Sequence, residues 1–212
     1  MVNDVAIKAV VFDVGETLVD ETRAWSALAD LAGITRFTLF AALGALIERG
    51  EDHRAVWNML GVDQPAGCVV LGVADFYPDA LPCVRSVHAA GYKVGLAGNQ
   101  PMAAEAALRK LDLPVDFIAS SASWGIEKPS PQFFARVCAE AALPPRNVAY
   151  VGDRLDNDVL PAKAAGLLAV FIRRGPWGHL HAHLPDIDRA DARIDDLADL
   201  IAVLQKRRGP SP

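Results

Sequence analysis

Five short apolar runs, each separated from the next by a stretch with helical punctuation, constrain this chain more than any other feature. They lie at residues 7–12, 92–97, 115–119, 148–151 and 168–172. The runs are nearly continuous rather than alternating apolar with polar, which is the pattern of strands buried on both faces. Between them the helix signals are in order. Asp79 is placed to cap a helix that Gly91 ends, and Pro101 to sit in the first turn of an Ala-rich helix. Ser130 followed by Pro131 reads as an N-cap with proline at the first helical position, and Gly166 ends the helix after Asp158. A last helix is expected at 195–205. Strand–helix alternation requires crossovers, hence a parallel sheet with helices on both faces. The expected fold is α/β, a Rossmann-like doubly wound parallel sheet.

One stretch breaks the alternation. Residues 20–75 contain no convincing strand, whereas 24–31 and 37–47 carry apolar residues at helical spacing. Thr22 and Thr35 are placed to cap two helices there, and Gly50 to stop the second. Residues 69–73 read equally as helix or short strand. The segment is expected to be a small helical cap at 20–75, inserted after the first strand of a core formed by 1–19 and 76–212. Trp25, Phe37 and Trp57 are assigned to the cap's own core.

The chain has 212 residues, 52% of them apolar, which suits one sizeable domain with a small accessory one. Net charge is −5, and the basic block Lys206-Arg207-Arg208 reads as a frayed helix end, where cations suit the helix dipole. No nucleic-acid partner is expected. Cys68, Cys83 and Cys138 form no CxxC pair and read as small buried hydrophobes in a reducing compartment. The start MVNDVAIK does not read as a signal peptide, and no run is long enough to span a bilayer. A cytoplasmic protein with no membrane partner is expected, as monomer or homodimer.

The chemistry concentrates in four places: Asp13 in VVFDVGETL, Gly98-Asn99 in VGLAGNQ, Lys128-Pro129 in GIEKPSP, and Asp153 with Asp158 in VGDRLDND. Asp13, Gly98-Asn99 and Asp153 end three different apolar runs. Open parallel sheets bind ligands outside the carboxyl ends of their strands, so the fold brings these residues to one rim. Gly15 lets the backbone turn tightly after Asp13. Three converging carboxylates repel one another unless a divalent cation neutralises them. Oxygen-only ligands suit Mg²⁺ with a phosphate. Lys128 adds a point charge able to hold a carboxylate and an anion. Carboxylate, metal and lysine around an anion are what phosphoryl transfer requires.

In this order and spacing, the motifs resemble those of haloacid dehalogenase (HAD) superfamily hydrolases with a helical cap after the first strand. The flanking text, Asp79-Ala80-Leu81-Pro82 leading to Ala90-Gly91-Tyr92 and Lys163-Ala164-Ala165-Gly166, fits as well, so the resemblance covers essentially the whole chain. It implies that Asp13 is a nucleophile forming an aspartyl-phosphate. It implies that Asp13, Asp153 and the carbonyl of Gly15 hold Mg²⁺, with Asp158 in support. Lys128 would steady Asp13 and the phosphoryl group, Thr17 would orient the loop, and Gly98 and Asn99 would donate backbone N–H groups to the phosphate. The implied substrate is a small phosphorylated metabolite.

Two positions depart from the family pattern. Phosphatases of this family carry a general-acid Asp two residues after the nucleophile, where this chain has Gly15. Their second motif offers a Ser or Thr hydroxyl, where this chain has Gly98. Losing a general acid removes ~10²–10⁴ in rate and losing a donor ~10²–10³. Glu16 is the adjacent carboxyl that could stand in. The departures leave two rivals open: an attenuated binding or regulatory protein on the same scaffold, and a 2-haloacid dehalogenase, which would need no Mg²⁺. The Asp153/Asp158 pair argues for metal. Other residues have plainer readings. Asn157 is a helix-start cap or a motif residue. His179, His181 and His183 lie beside Gly and Pro as a surface loop. Arg23 and Asp20 are solvated helix charge or meet an anion. Trp124 and Trp177 pack, or border the pocket.

Overall fold

The computed structural model describes residues 6–66 and 71–206. Six parallel strands form one sheet: β1 (Ala9–Phe12), β2 (Lys93–Gly98), β3 (Phe117–Ser120), β4 (Val148–Gly152), β5 (Leu168–Ile172) and β6 (Ala192–Ile194), in the order β3-β2-β1-β4-β5-β6. The chain winds outward from β1 through β2 to β3, then returns to β4 on the other side of β1. The β1/β4 boundary is therefore the switch point, where a crevice opens outside the strand ends. Register fixes what faces it: Phe12 is level with Leu96 and Val151, so Asp13 leaves the sheet between β2 and β4.

Among the described residues there are ten α-helices: α1 (Thr22–Leu31), α2 (Arg36–Glu48), α3 (Val56–Met59), α4 (Ala80–Ala89), α5 (Met102–Arg109), α6 (Ser121–Trp124), α7 (Pro131–Ala141), α8 (Leu160–Ala164), α9 (Gly175–His181) and α10 (Leu200–Gln205). Successive strand residues face opposite sides. Val10, Phe12 and Val151 join a core with Val84 of α4 and Leu204 of α10. Ala9, Val11 and Tyr150 join another with Phe134 of α7 and Ala162 of α8. Both faces are covered, which is why the strands read as unbroken apolar runs.

The helical segment has its own cluster of Ala29, Leu39, Leu43, Leu46, Val56 and Trp57, with Trp25 packed against it. Phe37 is not part of it; it is 84% exposed. The sequence of α2, RFTLFAALGALIE, is apolar nearly all round, so periodicity alone could not choose its buried face. Thr35 caps α2 by accepting from the Thr38 N–H at 3.3 Å. Thr22 does not cap α1; it lies inside the helix and its N–H donates to the Asp20 carboxylate at 2.8 Å.

Other boundaries follow local chemistry. Ser130 caps α7 with Pro131 at its first position. Asp79 precedes α4 but gives no side-chain cap. Its carboxylate accepts from Arg174 and from the Leu197 N–H instead, tying α4 to the C-terminal part of the chain. Strand β6 was not expected, because ARI offers one buried residue to a pattern search. The expected helix at 195–205 is shorter than its range. Asp196 caps a 3-10 turn at Leu197–Asp199, and α10 starts only at Leu200. Of the ambiguous 69–73, residues 69 and 70 fall outside the described residues, as do Cys68, Arg207 and Arg208; Val73–Asp75 is a 3-10 turn. Cys83 and Cys138 are buried and free.

The histidine run begins in a helix rather than a loop, because Gly175 and Pro176 begin α9, which ends at His181. His179 and His181 lie on the helix and His183 in the turn after it: His181 is buried, with Nδ1 accepting from the Leu155 N–H at 3.0 Å, while His179 and His183 are exposed. They form no cluster. Among the described residues no single helix is long and apolar enough to cross a membrane.

Candidate active site

Asp13, Asp153 and Asp158 meet at the switch point, each offering a carboxylate oxygen within 4.8 Å of the others. Asp13 and Asp153 arrive on the strands. Asp158 arrives on a π turn, Leu155–Val159, that inserts between β4 and α8 and lets the Arg154 N–H donate to its Oδ2 at 3.0 Å. All three are buried. Lys128 enters from the opposite loop, with Nζ 2.7 Å from Asp13 Oδ1 and 2.5 Å from Asp158 Oδ1. It is 3% exposed and passes the rings of Phe133 and Tyr150 at 5.9 and 5.6 Å.

One cation faces three carboxylates, and the balance shows in their proton affinities. Burial pushes Asp158 up to about 6, against the pull of Lys128 and with the push of Asp13. Burial, then the charges of Asp158 and Asp13, holds Asp153 well above the usual carboxylate range. Burial opposes the charge on Lys128, but Asp13 and Asp158 outweigh it and keep the amine protonated. Asp153 Oδ2 is buried without a hydrogen-bond partner, and Oδ1 receives only the Thr17 hydroxyl at 3.4 Å. An orphaned carboxylate oxygen facing two more carboxylates is a donor set for a hard divalent cation. Mg²⁺ fits these residues.

Asn99 has a structural task. Its side chain brackets the Lys128 peptide, accepting from the Lys128 N–H at 2.8 Å and donating to the Lys128 carbonyl at 3.0 Å. It thereby fixes the lysine loop, leaving its backbone N–H as the group available to an anion. At Gly98 a Cβ would lie 2.3 Å from Asp13 Oδ1. The carboxylate occupies the space where a hydroxyl-bearing side chain would begin, and the same oxygen is held by Lys128. Gly98→Ala is therefore expected to push Oδ1 off the ammonium and cost ~1–3 kcal/mol, the scale of overpacking. A urea melt checks this; an unchanged midpoint would mean that Asp13 rotates away freely.

The loop after Asp13 carries two further carboxyls. Glu16 has a left-handed backbone (φ 53°), and both its oxygens are engaged: Oε1 accepts from the Glu21 N–H at 2.9 Å and Oε2 from the Tyr77 hydroxyl at 2.6 Å. Its side chain braces the loop, and neither oxygen is left unengaged for the acid role that the sequence left open. Glu21, which the motif reading passed over, lies on the wall beside Asp13. Burial first, then the charges of Glu16 and Asp13, pushes it up to about 7, and Trp25 and Gln100 offer it hydrogen bonds. No local pattern marks Glu21, because its position depends on how the loop folds back. Arg23 pairs with Asp75 through two 2.6 Å contacts.

A cleft of about 580 Å³ opens over these groups. Its floor is Asp13, Lys128 and Asp153, and its far side is Asp52, His53 and Arg54 of the helical segment. Trp177 borders it, with the Arg154 guanidinium 5.1 Å from its ring and His53 edge-on at 5.1 Å. Burial and the charge of Arg154 press His53 down to about 4, so it is neutral at physiological pH. Trp124 packs on Phe133 at 5.2 Å. Asn157 is buried at the cleft edge rather than capping a helix.

A family profile described as haloacid dehalogenase-like hydrolase matches residues 7–166. The chain is 28% identical to the glyceraldehyde 3-phosphate phosphatase of Methanopyrus kandleri, over 94% of this chain and 98% of that protein. Among solved structures, a HAD phosphatase from Thermococcus onnurineus superposes with a TM-score of 0.62 at 23% identity, covering 93% of this chain and 98% of that one. A 2-haloacid dehalogenase from Pseudomonas syringae superposes at 0.57 and 21%, covering 94% and 99%. The structural likenesses establish a shared fold, and the profile spans most of the chain. This protein belongs to the haloacid dehalogenase-like hydrolases.

Proposed function

We propose that the chain is a Mg²⁺-dependent phosphatase of a small phosphorylated metabolite, working through an aspartyl-phosphate on Asp13. The observation that carries this reading is the orphaned, buried Oδ2 of Asp153 beside Asp13 and Asp158. A dehalogenase needs no metal. Asp13, Asp153 and the Gly15 carbonyl would hold Mg²⁺, with Asp158 in support, and the ion would supply positive charge against the phosphoryl oxygens. Lys128 holds Asp13 in place and adds charge that helps in the transition state. Backbone N–H groups of Gly98 and Asn99 donate to the phosphoryl oxygens, and Thr17 keeps Asp153 oriented. Residues 20–75 act as a cap over a core formed by 1–19 and 76–212. Arg54 and Arg154 on the cleft wall suit an anionic substrate. The Methanopyrus kandleri relative makes glyceraldehyde 3-phosphate the first substrate to try. Two free buried thiols suit a reducing cytoplasm.

The test is phosphate release from glyceraldehyde 3-phosphate and acetyl phosphate, each with Mg²⁺ or EDTA, alongside chloride release from 2-chloropropionate. Release that requires Mg²⁺ is expected. Chloride release in EDTA would replace this reading with the dehalogenase one, and folded protein that releases neither product would favour a binding role. Mg²⁺ should also raise the melting temperature. At a hundred times its Kd the gain is ~2.7 kcal/mol, or about 5–10 °C for a chain of this length. The gain should shrink toward about pH 5, because Asp158 and Asp153 must lose protons to bind metal.

A further inference from the structure

We infer that Glu21 supplies the acid–base carboxyl that position 15 lacks, because its side chain fills the volume that a side chain at position 15 would occupy. The inference rests on the phosphatase reading. A Cβ placed on Gly15 would lie 2.6 Å from Glu21 Oε1 and 2.9 Å from its Cδ, with Gln100 Nε2 at 3.2 Å. Glycine at 15 and a carboxyl at 21 are therefore complementary in volume.

The loop is built to make this substitution. After Asp13 the chain closes on itself: the Leu18 and Val19 N–H groups both donate to the Val14 carbonyl at 2.9 Å, and Glu16 N–H donates to the Val19 carbonyl at 2.8 Å. That returns residue 21, at the start of α1, to the side of residue 15. Glu16 then clamps the Glu21 backbone through its N–H. Gln100, whose amide lies against the same spot, comes from the loop after β2. Glu21 lines the same cleft as Asp13, Lys128 and Asp153. The rival carboxyl, Glu16, spends both oxygens on Glu21 and Tyr77.

In the first half-reaction an Asp13 oxygen bonds to phosphorus as the bond to the leaving oxygen breaks. Glu21 gives its proton to that oxygen, and the alcohol departs. In the second, Glu21 takes a proton from water as the water oxygen bonds to phosphorus and the Asp13–phosphorus bond breaks. The products are phosphate and the starting carboxyls.

The test compares an alkyl ester, glycerol 3-phosphate, with acetyl phosphate, whose leaving group needs no proton, using the full chain with Mg²⁺. Glu21→Gln is expected to lower kcat on glycerol 3-phosphate ~10²–10⁴-fold, and on acetyl phosphate less than ~10-fold, with KM little changed. Equal losses on both substrates, or no loss, would overturn the role of Glu21 while leaving the phosphatase reading intact. Wild-type protein inactive on both overturns the phosphatase reading and this role with it. A second variant guards against a folding defect: Glu21→Ala combined with Gly15→Asp, where the vacated space admits the new side chain. It should recover at least ~10-fold of the alkyl activity lost in Glu21→Ala alone, and no recovery counts against the shared volume.

Discussion

Asp13→Asn should reduce phosphate release by ~10⁴–10⁶-fold, the scale on which enzymes lose rate when the nucleophile is removed. An amide oxygen is a poor nucleophile toward phosphorus, and both oxygens of Glu16 are held by other partners. The same change should leave the fold intact. Lys128 keeps Asp158 Oδ1 at 2.5 Å after Asp13 is neutralised. Three converging carboxylates become two, so repulsion falls. The melting temperature in EDTA is expected to hold or rise, while the gain on adding Mg²⁺ shrinks because a ligand charge is gone. Parallel phosphate-release and melting curves separate these effects. Residual turnover within tenfold of wild type would place the nucleophile elsewhere.

How much of this was legible in the sequence depends on how local each signal is. Asp13, Gly98, Asp153 and the run around Lys128 could be located because each follows a buried strand or sits in a short, distinctive loop. Parallel topology then puts strand ends on one rim without further information. The five long strands announced themselves through burial on both faces; β6 did not, since its three residues bury only Ile194. The exposed side of α2 was unreadable because that helix is apolar nearly all round. Side-chain assignments failed where tertiary partners outbid local ones. Asp79 bonds Arg174 and Leu197 rather than capping α4, a choice with no trace in nearby residues.

The two glycines show the same limit more sharply. Read along the chain, Gly15 and Gly98 are deletions of an acid and of a hydroxyl. In space neither site is empty, because Glu21 stands where residue 15 would project and Asp13 where residue 98 would. A motif compares identity position by position. Catalysis depends on which atoms share a volume, and a side chain six residues along can fill it once the loop has closed.

Lys128→Met should cost the fold about 3–5 kcal/mol in EDTA near neutral pH, the scale for removing one partner of a buried ionic cluster. For a chain of this length that is roughly a 10 °C fall in melting temperature. The methionine would still pack against Phe133 and Tyr150, so the loss is chiefly electrostatic: Asp13 and Asp158 keep their burial and lose their counter-charge. The sign of the pH dependence follows from the shifts. Asp158 titrates at about 6 in the fold against 3.8 unperturbed. A raised carboxyl stabilises fully below its unfolded value, and that contribution is lost as pH rises through the folded one. Lys128 is what pulls both Asp158 and Asp153 down. Without it their titrations move higher and the loss continues further up the pH scale. The gap between wild type and variant should therefore be narrow near about pH 5, where the variant's carboxylates take up protons, and widest near about pH 8. Mg²⁺ should narrow it again at the higher pH, because the ion replaces the missing positive charge. Melting curves across that range decide the matter. A gap that stays constant with pH would assign the role of Lys128 to packing rather than charge.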